Sequence, residues 1–368
     1  MVDKSGRPGS GETPRAPTGD YAWRQKGPQT AAYRMTQTLT EDARLAELRG
    51  WLADAAGLRN VALTPASSDA SFRRYFRVTA HDRRWIAMDA PPDREDCHAF
   101  ADVAALMAAA GLHVPTIHEQ DLDRGFMLLE DLGDTGYLGA LNARSADVLF
   151  ADALEALIEW QVASRPGVLP EYDDDTLRRE MALFPEWYLQ RHLGVTLDVA
   201  ESRVLDQAFD SIIDQVRGQP RVFVHRDYMP RNLMVCQRNP GVIDFQDARF
   251  GPYSYDLISL FKDAFISWPQ ERVDIWLSDY WRRARAAGLA VPAEFADLRR
   301  DCDWMGLQRH LKVLGIFARI CYRDGKPKYL ADAPRFLAYL RPVVKAYPAL
   351  AGLRELLERH VFADDDAG

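Results

Sequence analysis

Three oxygen-bearing side chains fall close together in the stretch VFVHRDYMPRNLMVCQRNPGVIDFQD. Asp227 closes His225-Arg226-Asp227, Asn232 follows five residues later, and Asp244 lies twelve residues beyond Asn232. Asp and Asn offer only hard acceptor oxygens, the ligands that Mg²⁺ takes when it also holds nucleotide phosphates. H-x-D-x-x-x-x-N followed by D-F is the spacing of phosphoryl-transfer sites, in which the first Asp accepts the proton of an attacking hydroxyl while the Asn and second Asp hold metal. A lone H-R-D reads as a capped turn with surface polar neighbours. Asn and Asp at both expected offsets favour the chemical reading.

These residues need local elements to position them. Arg221-Val222-Phe223-Val224 reads as a short buried strand feeding His225. The apolar residues Leu233 to Cys236 and Val242-Ile243 flank Gln237-Arg238-Asn239-Pro240-Gly241, a turn-rich segment. The pattern predicts a small hairpin that folds back and brings Asn232 and Asp244 to one point.

Upstream, Phe72, Arg74, Phe76 and Val78 alternate with Arg73, Tyr75, Arg77 and Thr79, and a His81-Asp82 turn leads into Trp85-Ile86-Ala87-Met88. A helix over Asp96–Ala110 is predicted to end at Gly111, with strands at His113–His118 and Phe126–Leu129. The result is a small antiparallel sheet with one helix, closing at Glu130-Asp131-Leu132-Gly133. Beyond it the chain is mostly helical, with helices predicted near Ala146–Ser164, Leu177–His192, Ser202–Gln215, Tyr255–Phe265, Val273–Ala287 and Trp304–Tyr322. The expected fold class is α+β, divided into an N-terminal tail (1–35), a sheet lobe (36–131), a helical lobe (132–362) and an acidic end (363–368).

A chain of 368 residues with 47% apolar residues can bury a large core. A net charge of −8 and a pI near 5.6 argue against a nucleic-acid partner. No run approaches 18 apolar residues, so no membrane span is expected. Cys97, Cys236, Cys302 and Cys321 have no C-x-x-C spacing and read as reduced thiols of a cytoplasmic protein. Residues 1–35, rich in Gly, Pro, Ser and Thr, cannot bury enough surface to order themselves. They carry Asp3, Glu12 and Asp20 and no apolar h-region, unlike a secretory signal or transit peptide. The tail is expected to be dispensable, with Met35 preceding a first helix over Leu39–Ala56.

Taken together, SSDASFRRYFRV (67–78), IAMDAPP (86–92), LLEDLGD (128–134), HRDYMPRNLM (225–234), VIDFQDARFGPYSYDLISLFKDAF (242–265) and WMGLQRHLKVLGIFARI (304–320) resemble the aminoglycoside phosphotransferase/choline kinase superfamily. Within it the chain looks like the anomeric N-acetylmuramate/N-acetylglucosamine kinases of bacterial cell-wall recycling. The resemblance implies a protein-kinase-like two-lobe fold, ATP and Mg²⁺ as cofactors, and an amino sugar as the small-molecule partner. The implied product is a sugar 1-phosphate, which a nucleotidyltransferase could convert to the UDP-sugar. It also implies Asp227 as general base, Asn232 and Asp244 as Mg²⁺ ligands, and His225 as a brace for the loop. Ser67 to Ser71, with Ser68, Asp69 and Ser71, becomes the phosphate-covering turn, and Glu130 to Leu132 the hinge that meets adenine. Asp256 reads as an N-cap or a core ion-pair partner that supports the loop.

One departure stands out. Ile86-Ala87-Met88-Asp89 puts an acid where V-A-I-K puts the lysine that holds the α/β-phosphates. Either another cation substitutes or nucleotide binding is impaired. Arg73 and Arg74 are the nearest candidates, and alternation lets only one of them point under the turn. For the acceptor, the lactyl carboxylate of N-acetylmuramate calls for a cation, and Arg309 and Lys312 share a helix face that could line a cleft. Glu186 and Trp187 offer an acid and an aromatic surface for a sugar. The competing readings are a kinase for a cationic acceptor such as an aminoglycoside or choline, served by acids like Asp173-Asp174-Asp175, and a nucleotide-binding pseudokinase. A protein kinase fits less well, because G-x-G-x-x-G and A-P-E are missing.

Overall fold

The computed structural model describes residues 43–66, 73–80 and 82–362. The tail 1–35, the phosphate-covering turn with Ser68, Asp69 and Ser71, and the acidic end 363–368 lie outside the described residues. The chain divides into two units, Met1–Arg59 and Asn60–Gly368. The first contains helix α1 (43–54), whose Leu48, Trp51 and Leu52 recur at the spacing of one helical face.

The second unit opens with β1 (Ala62–Pro65), β2 (Arg74–Ala80) and β3 (Arg83–Asp89), followed by α2 (Cys97–Ala109), β4 (Ile117–Asp121) and β5 (Phe126–Glu130). The five strands form one antiparallel sheet in the order β1-β2-β3-β5-β4. Asp96 caps α2 by accepting the His98 N–H at 2.8 Å. Gly111 leaves the helix at φ +99, a conformation that costs glycine little. The predicted strand at His113–His118 begins only at Ile117. Pro115 has no N–H for a ladder, and His113 instead makes a single bridge to Gly241.

The remainder is built on helices α3 (Tyr137–Ala140), α4 (Ala146–Val162), α5 (Asp174–Met181) and α6 (Val199–Arg217). Then come β6 (Arg221–Val224), β7 (Leu233–Met234), β8 (Gly241–Val242), β9 (Arg249–Pro252) and α7 (Tyr255–Phe261). Helices α8 (Gln270–Ala286), α9 (Phe295–Asp324), α10 (Ala333–Ala346) and α11 (Ala351–His360) complete the chain. The helix expected over Leu177–His192 is broken in two, with α5 ending at Met181 and a π-helical segment running Phe184–His192. Pro185 at the start of the second piece cannot donate to the preceding turn.

Helix α9 begins well before the predicted Trp304. Its first turns are polar and ion-paired, as in Arg300–Asp297 at 2.9 Å, so they carry little apolar periodicity. Helices α10 and α11 were not expected, because Pro334, Pro342 and Pro348 obscure their pattern. Their Leu337, Leu340, Val344, Leu353 and Leu357 nevertheless join the core. Gly315 lets α9 approach the segment before Phe184 closely, since a Cβ there would lie 2.4 Å from the Leu183 carbonyl carbon. Among the described residues no helix is long and apolar enough to cross a membrane.

Candidate active site

The expected hairpin is formed. β7 pairs with β8, Leu233 opposite Val242, and a cis Asn239-Pro240 peptide lies in the turn. Gly241 is the tight point, because a Cβ there would sit 2.8 Å from Leu132 Cδ1 and 3.2 Å from Cys236 Sγ. The hairpin therefore lies directly against the 130–133 segment.

At its open end the Asn232 amide donates to the Asp227 backbone carbonyl (2.9 Å) and to Asp244 Oδ2 (3.3 Å), so the three residues meet. Gln246 Nε2 steadies Asp244 Oδ1 at 3.0 Å. The Asp227 carboxylate borders the cleft and has no hydrogen-bond partner among the described residues. Burial, and then the adjacent Asp227 carboxylate, hold the Asp244 carboxyl above its ordinary range. Two crowded carboxylates beside an amide oxygen make an all-oxygen donor set that a divalent cation would relieve. Among the described residues no three His, Cys, Asp or Glu side chains form a metal cluster by themselves.

The loop is braced from beneath. Burial pulls His225 below its ordinary value, so its neutral ring donates from Nε2 to the Ile243 carbonyl (3.1 Å) and accepts the Asp227 N–H at Nδ1 (3.2 Å). Asp256 accepts the His225 and Arg226 N–H groups at 2.7 and 3.0 Å. Helix α7 is capped at Ser254, so Asp256 is not its N-cap but the anchor of the loop. Burial pushes its carboxyl up to about 7, against those two donors. Arg226 and Asp244 take φ of +75 and +64, left-handed backbone that side chains other than glycine adopt at a cost.

A cleft of about 530 Å³ opens between sheet and helices at this point. One end is bordered by Arg73, Tyr75, Arg77, Ile86 and the 130–133 segment, including Glu130 and Leu132. Thr116 and His113 hold the Glu130 carboxylate at 2.9 and 3.3 Å, and Arg77 reaches Asp131 at 2.8 Å. The pleat corrects the expectation about strand three. Tyr75 lies opposite Met88 and Arg77 opposite Ile86, so Met88, not Asp89, takes the cleft-side position. Asp89 faces the other way, fully buried and paired with Arg74 Nε at 2.9 Å, which also removes Arg74 from the cleft.

The other end is bordered by Arg231, Tyr255, Phe265, Arg309, Lys312 and Tyr329. Lys312 Nζ lies 3.0 Å from both Glu180 Oε1 and the Tyr255 hydroxyl. Burial opposes its charge, but Tyr255 and Glu180 outweigh it and hold Lys312 above the ordinary lysine value. Glu180 also receives Arg226, Gln308 and the Tyr172 hydroxyl. Arg309 is only 3% exposed, and its Nη1 has no hydrogen-bond partner among the described residues. Glu186 and Trp187 are not at the cleft. Phe184, Tyr188 and Leu189 turn inward on the π-helical segment, which leaves Glu186 exposed and interacting with Arg319. Asp173 is occupied as the cap of α5 and Asp174 pairs with Arg217, both away from the cleft.

Sequence reasoning passed over Arg231, whose guanidinium stacks 5.2 Å from the Phe265 ring centre. Its signal was being the one cation between Asp227 and Asn232. Glu180, and Glu95, which accepts from Arg73 Nε at 2.9 Å, carried no comparable sign, since nothing local marks the partner of a distant cation.

The profile of the phosphotransferase enzyme family (APH) matches residues 62–295. The chain belongs to this family and is a phosphotransferase enzyme. It is 56% identical over 295 residues to the N-acetylmuramate/N-acetylglucosamine kinase of Pseudomonas putida, covering 80% of this chain and 87% of that one. The enzyme of the same name from Pseudomonas aeruginosa is 54% identical, with 87% and 97% covered, and that from Neisseria meningitidis 46% identical, with 84% and 94% covered. Among solved structures, choline kinase LicA from Streptococcus pneumoniae superposes with a TM-score of 0.57 at 14% identity, covering 82% of this chain and all of that one. ADP-bound aminoglycoside phosphotransferase APH(2'')-Ib gives 0.56 at 15% identity, with 80% and 97% covered. At such identities the likeness establishes the shared protein-kinase-like fold, a five-stranded sheet lobe joined to a helical lobe.

Proposed function

We propose that this enzyme uses ATP and Mg²⁺ to phosphorylate the anomeric hydroxyl of N-acetylmuramate, N-acetylglucosamine or both, releasing the sugar 1-phosphate. The observation that carries this reading is the meeting of Asp227, Asn232 and Asp244 at the floor of one cleft whose far end is cationic and aromatic. The name borne by relatives about half identical to this chain points to the same acceptors.

Adenine would lie against Glu130 to Leu132. Asn232 and Asp244 would hold Mg²⁺, which when bound neutralises charge on the nucleotide phosphates. Asp227 orients the acceptor hydroxyl and takes its proton. An anomeric hydroxyl is more acidic than an ordinary alcohol because the ring oxygen withdraws electrons, so a carboxylate base is adequate. General-base assistance of this kind supplies roughly 10²–10⁴-fold, with positioning and charge compensation supplying the rest. Asp256 and His225 hold the loop so that the base does not drift.

At the acceptor end Arg231, Arg309 and Lys312 would meet the sugar, with Arg309 suited to a bidentate grip on the lactyl carboxylate. Lys312 is paired with Glu180, but Arg231 and Arg309 also border that end, and together the cations suit an anionic group on the acceptor better than a positively charged one. Purified protein with ATP, Mg²⁺ and, separately, N-acetylmuramate, N-acetylglucosamine, choline and kanamycin tests the reading by ADP release, with ³¹P NMR locating the new phosphate. Turnover of choline or kanamycin without either sugar, or phosphate on another hydroxyl, overturns it.

A further inference from the structure

The cleft face of the sheet carries no lysine on β3, because Met88 occupies that position and lies fully buried in the core. A cation does reach this face from the neighbouring strand. Arg73, Tyr75 and Arg77 succeed one another at two-residue steps and all border the cleft. Glu95, the residue before the Asp96 cap of α2, meets Arg73 Nε at 2.9 Å and Nη2 at 2.8 Å.

We propose that Arg73 supplies from β2 the cation that grips the α/β-phosphates of the nucleotide, and that Glu95 is its positioning residue. The pair replaces the lysine–glutamate pair that kinases build between the third strand and the following helix. This inference rests on the nucleotide-dependent reading above.

Three observations support it. Arg73 borders the same cleft as Asn232 and Asp244. The pair is largely withdrawn from solvent, at 13% and 14% side-chain exposure, so water screens it weakly. An arginine has five donors on a rigid fork, so it can hold a carboxylate along one edge while it meets a phosphate. Arg74, its neighbour in sequence, is committed to buried Asp89 on the opposite face and cannot share the task.

The test measures binding of ADP and of adenosine to the full chain by calorimetry, then steady-state kinetics in ATP. Arg73→Ala and Arg73→Gln should bind ADP about 10- to 100-fold more weakly, as loss of a charged hydrogen bond implies, and leave adenosine affinity unchanged. Arg73→Lys should recover most of the loss. Glu95→Gln should raise KM for ATP more than it lowers kcat, and should add little in the Arg73→Ala background. Arg74→Ala should lower the melting temperature yet leave ADP affinity intact. Equal ADP affinity in wild type and both neutral Arg73 variants overturns the inference, as does parallel loss of ADP and adenosine. Wild-type protein that binds neither ligand overturns the kinase reading itself, which keeps the two failures apart.

Discussion

Replacing Glu180 by Gln tests the buried charge cluster behind Asp227. Glu180 bonds Lys312, Arg226, Gln308 and Tyr172, and its side chain is 11% exposed. Burial pushes its carboxyl up, but Lys312 and then Arg226 reverse that effect and hold it at about 2, below the ordinary 4.5. At about 1.4 kcal/mol per pH unit, that lowering is equivalent to about 3 kcal/mol of folding stability. Breaking a buried ion pair from one side costs a similar roughly 3–5 kcal/mol.

The folded-state value lies below the unfolded one, so the contribution is complete above pH 4.5 and is lost as pH falls toward 2. Urea unfolding should find Glu180→Gln about 3 kcal/mol less stable than wild type at pH 7 and pH 5, narrowing to about 2 kcal/mol by pH 3.5. At pH 7 kcat should also fall, because Arg226 adjoins Asp227, whereas KM for ATP should hold. A difference below about 1 kcal/mol at pH 7, or one unchanged at pH 3.5, would refute the assignment of this network as charged and coupled.

Asp227→Asn should lower kcat by roughly 10²–10⁴-fold while ADP affinity measured by calorimetry stays near wild type. Arg309→Ala should raise KM for N-acetylmuramate by about 10- to 100-fold and KM for N-acetylglucosamine far less, since only the first sugar carries a carboxylate. Gly241→Ala should destabilise the fold by about 1–3 kcal/mol in thermal unfolding and raise KM for ATP, because the new Cβ presses on Leu132 at 2.8 Å.

The local chemistry was legible in the residues themselves. From Asn232 to Asp244 the chain has few routes other than a short hairpin, so composition and turn residues were enough to predict that the two meet. The alternation of Arg73 to Thr79 likewise announced a strand, and apolar stripes announced α2, α4, α6 and α8. Proline-bearing α10 and the ion-paired start of α9 escaped, because Pro334 and Pro342 interrupt the apolar stripe of the first and charged residues dilute that of the second.

The tertiary structure alone decided which face each strand residue shows and which distant groups pair. Spacing placed Asp89 at the lysine position, but the register of β2 against β3 turned it away and left Met88 there. Arg73 finds Glu95 across 22 positions, and Lys312 finds Glu180 on another helix. The physical reason is range. A motif fixes backbone geometry over a few residues, whereas the partner of a buried charge depends on how whole elements stack, and a one-residue change of register reverses every side chain on a strand.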